Sequence, residues 1–167
     1  MWKRIERKLK EYPARVKVAR LMVELGLNID PHGKISCGPI EMNDVKIGRA
    51  AGVDRRVVRE TVRLILSDAE LARLFRNLRP AGSFLRDVAK DLGFSVIEIY
   101  ADPTKSGVIA GVSALIAKEG VSIRQAVADD PELVPEPKLV VITEKAVSGG
   151  TLQRILKVPG VSKITTF

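Results

Sequence analysis

Phe94-Ser95-Val96-Ile97-Glu98-Ile99-Tyr100 is a strand by composition, and the helical period of the preceding chain stops there. Asp102-Pro103-Thr104-Lys105-Ser106-Gly107 follows as a run of turn formers. Outward from these residues, 108–119 regain a helical period, with Val108, Ile109, Val112, Leu115 and Ile116 expected inward and Gly120 as the stop. Residues 121–128 read as a second strand, and 129–137 as a loop rich in acid and proline. A third strand, 138–143, is aliphatic between polar ends. Ser148 is placed to cap a helix burying Leu152, Ile155 and Leu156, and Pro159-Gly160 turns the chain into a last strand, 161–167. The order is βαββαβ.

That order predicts a ferredoxin-like domain over residues 93–167, four antiparallel strands with two helices on one face. An RNA-recognition module of this order needs aromatic side chains on its third strand, and Lys138 to Thr143 has none. The pattern instead resembles the ACT domain, a small-molecule sensor of amino-acid metabolism. The resemblance rests on Tyr100-Ala101-Asp102-Pro103, Gly107-Val108-Ile109, Glu119-Gly120-Val121-Ser122-Ile123 and Val158-Pro159-Gly160-Val161. Two departures stand out. Thr104-Lys105-Ser106 separates Pro103 from Gly107, where the family commonly has Pro and Gly adjacent, and Ser122 replaces a frequent Asn. The resemblance implies an amino-acid ligand held near a dimer interface, with Asp102, Pro103, Ser106, Gly107, Val108, Ile109, Ser122 and Ile123 as contacts. Physical chemistry agrees at one point, because N–H groups at a helix N-terminus can hold a carboxylate. Strand one ends at Asp102 and strand two begins near Val121; as neighbouring strands they would bring both segments to one pocket.

Residues 1–92 read as an all-helical domain. Trp2, Ile5, Leu9 and Tyr12 have helical spacing, and Pro13 either ends that helix or opens the next. A second helix runs from Ala14 to Leu25 and stops at Gly26. Residues 28–41 are turn formers with at most a short strand around 34–37; His32 and Cys37 lie there and read as loop or packing residues. The stretch from Asn43 to Val62 predicts a helix over 44–51, a turn at Gly52, Val53 as a plug between helices and Asp54 capping a second helix. This resembles the helix-turn-helix of bacterial and archaeal DNA-binding proteins. The resemblance implies DNA contacts from Lys46, Arg49, Arg55, Arg56, Arg59 and Arg63. Ser67-Asp68-Ala69-Glu70 reads as a capping box for a further helix, and Ser83 as the cap of a linker helix reaching Leu92.

Charge separates the two parts. The chain has 167 residues with a net charge of +8. The first 92 residues hold 20 basic and 12 acidic residues, and the rest hold 8 of each. A basic module joined to a neutral one suits one part meeting phosphate and another doing something else; ordinary surface charge of a thermostable protein is the alternative. The lone Cys37 excludes an internal disulfide and fits a reducing cytoplasm. One histidine leaves no metal cluster or Ser-His-Asp triad, and no apolar run is long enough to span a bilayer. No enzyme, metal or cofactor is expected. The whole arrangement looks like predicted archaeal regulators of amino-acid metabolism that carry an ACT domain. On that likeness the expectation is a cytoplasmic homodimer that binds double-stranded DNA and responds to an amino acid. A regulatory subunit that binds an amino-acid biosynthetic enzyme is the alternative.

Overall fold

Trp2, Ile5 and Leu9 fall on one side of α1 (Trp2–Leu9) and are almost wholly buried. Pro13 is in the first turn of α2 (Pro13–Glu24), where its missing N–H costs nothing, so it opens that helix. Val18, Ala19 and Met22 of α2 complete the inner layer. These elements belong to a computed structural model that describes residues 1–167, an α+β protein of seven α-helices and two antiparallel sheets. The chain divides into two units, Met1–Gly82 and Ser83–Phe167, ten residues before the boundary expected at 92/93. The charge partition survives the shift, since residues 83–167 hold ten basic and ten acidic residues. No helix is long and apolar enough to cross a membrane.

The first unit is not all-helical. Strands β1 (Asn28–Ile29), β2 (Ile35–Cys37) and β3 (Ile40–Met42) pair antiparallel in that order. Gly33 and Gly38-Pro39, expected as plain turns, connect strands of two or three residues, too short to show a period. Next comes α3 (Asp44–Ala51), capped by the Asn43 side chain on the Lys46 amide. Gly52 ends it at φ +67°, and the Val53 N–H returns to Gly48 O at 2.8 Å. Asp54 caps α4 (Arg55–Ser67) through the Arg56 amide, as the sequence indicates. Ile47 and Val58 are buried at the crossing, and α4 also packs on α2 and on α5 (Ala69–Asn77). The cap of α5 is Asp68, not Ser67: Asp68 accepts from the Glu70 and Leu71 amides, while Ser67 donates to Leu64 O within α4. A carboxylate one residue later is simply the better acceptor for two amides. Lys8 of α1 reaches the same cap, 2.6 Å from Asp68 and 2.9 Å from Glu70.

The second unit has strands β4 (Ser95–Ala101), β5 (Ile123–Ala128), β6 (Lys138–Thr143) and β7 (Val161–Thr166), in the sheet order β5-β6-β4-β7, all pairs antiparallel. Helices α6 (Val108–Lys118) and α7 (Gly149–Leu156) cover one face through Ile97, Ile99, Val141, Val112, Ile116 and Ile155. Ile109 and Leu156, expected inward, are exposed, because each sits at the edge of its helix's apolar arc. The expected linker helix over 83–92 is absent. Only Arg86–Val88 forms a 3₁₀ turn, and the segment lies across the opposite sheet face, where Leu85, Ala89 and Phe94 pack on Val96, Val140 and Ile142. Burial of Leu85 and Ala89 on a flat surface outweighs the helical period of the stretch.

Two predictions follow from the first unit. A Cβ at Gly48 would lie 2.8 Å from Val53 O and 3.3 Å from the Arg55 amide nitrogen, both backbone atoms. Gly48→Ala should therefore destabilise the chain by about 1–2 kcal/mol in urea unfolding, despite alanine's helix preference. A neutral or stabilising result would contradict the close crossing of α3 and α4. The second concerns pH. The Asp68 carboxyl is held below its ordinary range, first by Lys8 and then by the Leu71 amide, and Lys8 likewise lowers Glu70. A depressed carboxylate stabilises above its unfolded pKa, and that contribution fades as pH falls through the folded value. Unfolding followed by circular dichroism below about pH 4.5 should show this loss, and Lys8→Met should flatten it.

Candidate functional site

In the first unit, the tight turn fixes which side of α4 stays outside. Val58, Thr61, Val62 and Ile65 are buried. Ideal helix geometry then gathers Arg55, Arg56, Arg59 and Arg63 within an arc of about 100° on another side. All four are exposed. Arg59 is bound through Nε to Asp44 Oδ2 at 2.7 Å, which ties α4 to the first turn of α3. Arg55, Arg56 and Arg63 form no ion pair. Lys46 and Arg49 are exposed on α3, where they line a shallow depression with Asn43, Val45 and Ala50. The surface thus offers several uncommitted cations on a rigid helix pair, an arrangement suited to a polyanion. Asp44, which restrains Arg59, was not among the residues singled out from the sequence. Its i, i+15 relation to Arg59 crosses a turn and has no local signature.

In the second unit, the site residues expected together are divided three ways. Asp102, Pro103, Val108 and Ile109 share an open groove of about 170 Å³ where β4 passes into α6. Ser106 and Gly107 line a different, shallow groove between α6 and α7, with Gly111 and Arg154. Ser122 and Ile123 lie at the far end of the sheet. Ile123 pairs with Thr143, which pairs with Ser95, whereas Tyr100 at the other end pairs with Lys138. The expectation that β4 and β5 are adjacent is therefore corrected. β6 lies between them, so they run parallel, and the end of one and the start of the other are about 15–20 Å apart.

The β4–α6 loop is closed on itself. Asp102 Oδ1 accepts the Thr104 hydroxyl at 2.7 Å and the Thr104 amide at 2.9 Å. These bonds hold the Asp102 carboxyl below its ordinary range, the hydroxyl contributing most. Gly107, at φ +89°, turns the chain into α6, and no side chain caps that helix. Its first N–H groups are thus left for solvent or a bound anion. The groove beside them has an apolar floor of Ile99, Val108 and Leu139, with Lys105, Asp102 and Asp129 at its edges. Asp129 takes the Lys138 amide on Oδ2 at 3.2 Å, and its own amide donates to Lys138 O at 3.0 Å. Asp129 and Lys105 were missed in the sequence because only the fold places loop 129–137 beside loop 102–107. A cation, two carboxylates and free helix amides around an apolar floor can hold a small zwitterion. The chain matches no protein-family model and no curated protein.

Proposed function

We propose that this chain is a non-enzymatic regulator that binds duplex DNA through α3 and α4 and a free amino acid through the groove of the second unit. The observation that carries the DNA reading is the set of exposed arginines on α4, three of them without an ion pair, directly behind a tight helix–helix turn. In a helix-turn-helix module the second helix enters the major groove, its early residues reach base edges and flanking cations hold phosphates. The strand order β5-β6-β4-β7 with two helices on one face supports reading residues 93–167 as a ferredoxin-like, ACT-like domain. The expected cytoplasmic homodimer, joined through the second unit, stays part of this proposal, with Ser122 and Ile123 outside the single-chain groove. An aliphatic floor favours an aliphatic amino acid over an aromatic or a charged one.

Two measurements test the reading. Duplex binding should weaken with salt, and replacing Arg55, Arg56 and Arg63 by alanine should lower the slope of log K against log salt by about 3 if all three hold phosphates. Unchanged affinity at low salt would end the DNA assignment; retention of an amino-acid biosynthetic enzyme without DNA affinity would favour the regulatory-subunit alternative. For the sensor, each of the twenty amino acids is added to the full chain in thermal unfolding. The ligand should stabilise by about 2.7 kcal/mol at a hundred times its Kd. Lys105→Met, and Gly107→Val at a backbone angle that L side chains rarely adopt, should both abolish the shift. No shift with any amino acid at millimolar concentration would reject this ligand class.

A further inference from the structure

The least expected feature of the second unit is Glu98. It stands in the middle of the central strand, on the sheet face away from the helices, and is only 3% exposed. A lone carboxylate there would be costly, so its partners matter. Glu98 Oε1 accepts from Lys138 Nζ at 2.9 Å and from Arg86 Nε, and Oε2 accepts the Tyr100 hydroxyl at 3.3 Å. Burial alone would raise its pKa, but the bonds from Lys138 and Arg86 more than offset this and hold it below the usual carboxylate range.

Arg86 belongs to the segment 83–94, which lies over this face like a strap. Few contacts hold it. The Gln125 side chain accepts the Leu85 amide at 3.0 Å and donates to Ser83 O at 2.9 Å. Leu85, Ala89 and Phe94 supply the apolar contact, and the Arg86 guanidinium sits 5.3 Å from the Phe167 ring centre. The outer side of the strap, Phe84, Val88 and Leu92, is about half exposed. The only buried charge the strap engages is therefore Glu98. That carboxylate is shared with Lys138, whose backbone is bonded in both directions to Asp129 at the groove. Asp129 thus holds the Lys138 backbone, the Lys138 side chain reaches Glu98, and Glu98 holds Arg86, a bonded series from groove to strap.

We propose that the strap is a latch controlled from the groove: a ligand that orders Asp129 and the start of β6 holds Lys138 on Glu98, and Glu98 in turn holds Arg86 and the strap closed. The strap is the first segment of the second unit and begins at Ser83. The control by a ligand rests on the amino-acid reading given above, whereas the bonded series from groove to strap does not. By linkage the effect is reciprocal, and opening the latch weakens ligand binding by the same factor.

Hydrogen exchange of the full chain, read by mass spectrometry over residues 83–94, tests both parts. Lys138→Met and Asp129→Asn lie outside the strap, yet each should speed exchange at the Leu85 and Phe94 amides by about tenfold, as should Glu98→Gln. Exchange in α6 and α7 should stay as in the parent, which separates an opened latch from general unfolding. If Lys138→Met and Asp129→Asn leave the strap unchanged, the series does not carry force and the latch is refuted. The amino acid that shifts thermal unfolding should slow strap exchange in the parent and fail to do so in Glu98→Gln while still binding. A bound amino acid with no effect on the strap refutes ligand control and leaves the amino-acid site standing. No bound amino acid, with the strap still responding to Asp129→Asn, refutes that site and supports the series.

Discussion

A four-stranded sheet whose two central strands are apolar on both faces has to be covered twice, and most of the second unit follows from that. In β4, Ile97 and Ile99 face α6 and α7, while Val96 faces the other way; in β6, Val141 and then Val140 and Ile142 do the same. Complete burial of such a side chain stabilises by about 1.5–3 kcal/mol, so an open back face would forfeit several of these contributions. Two helices are consumed by the front. The back is left to whatever chain is at hand, and residues 83–94 enter β4 directly. Leu85, Ala89 and Phe94 therefore belong to the sheet unit, and the unit boundary falls at Gly82.

Glu98 is the exception on that back face and is best understood through register. Side chains alternate along a strand, so a slip of one residue would drive Glu98 into the helix-covered core and turn Ile97 and Ile99 outward. In the observed register it meets Lys138 from β6, directly beside Tyr100, and Arg86 from the strap. A well-packed hydrophobic side chain would serve stability at least as well as a buried ion pair. What a hydrophobic residue could not do is single out one strap position. Ala89 and Leu85 can slide along an apolar surface; a guanidinium bonded to a carboxylate cannot.

Most elements were legible in the sequence because their signals are local. The turn Gly52-Val53-Asp54 states its own geometry through one glycine and one cap, and α3 and α4 lie where it puts them. The six core elements from β4 to β7 also appear in the expected order, within about two residues at their ends. What escaped reading is non-local. Gly48 is needed because another piece of backbone, Val53 O, comes within 2.8 Å of where its Cβ would be. Strands of two and three residues have too few alternations to announce β1–β3. The groove is assembled from loops 102–107 and 129–137, which are neighbours only because β6 intervenes between β4 and β5. Adjacent strand numbers suggested the opposite, and that one error displaced Ser122 and Ile123 from the rest of the site.

Charge divides the two units as sharply as fold does. All the excess positive charge lies in the first unit, and the second is balanced at ten basic and ten acidic residues. Salt screens exposed charge beyond about 8 Å at physiological ionic strength, so the local clustering of the arginines on α4 matters more than the total. The covalent connection between the two is at Gly82–Ser83. The first residues beyond that connection are those held by Gln125 and Glu98. The neutral unit is thus tied to its own sheet from its first residues, with Ser83 and Leu85 bonded to Gln125 of β5 and Arg86 to Glu98 of β4.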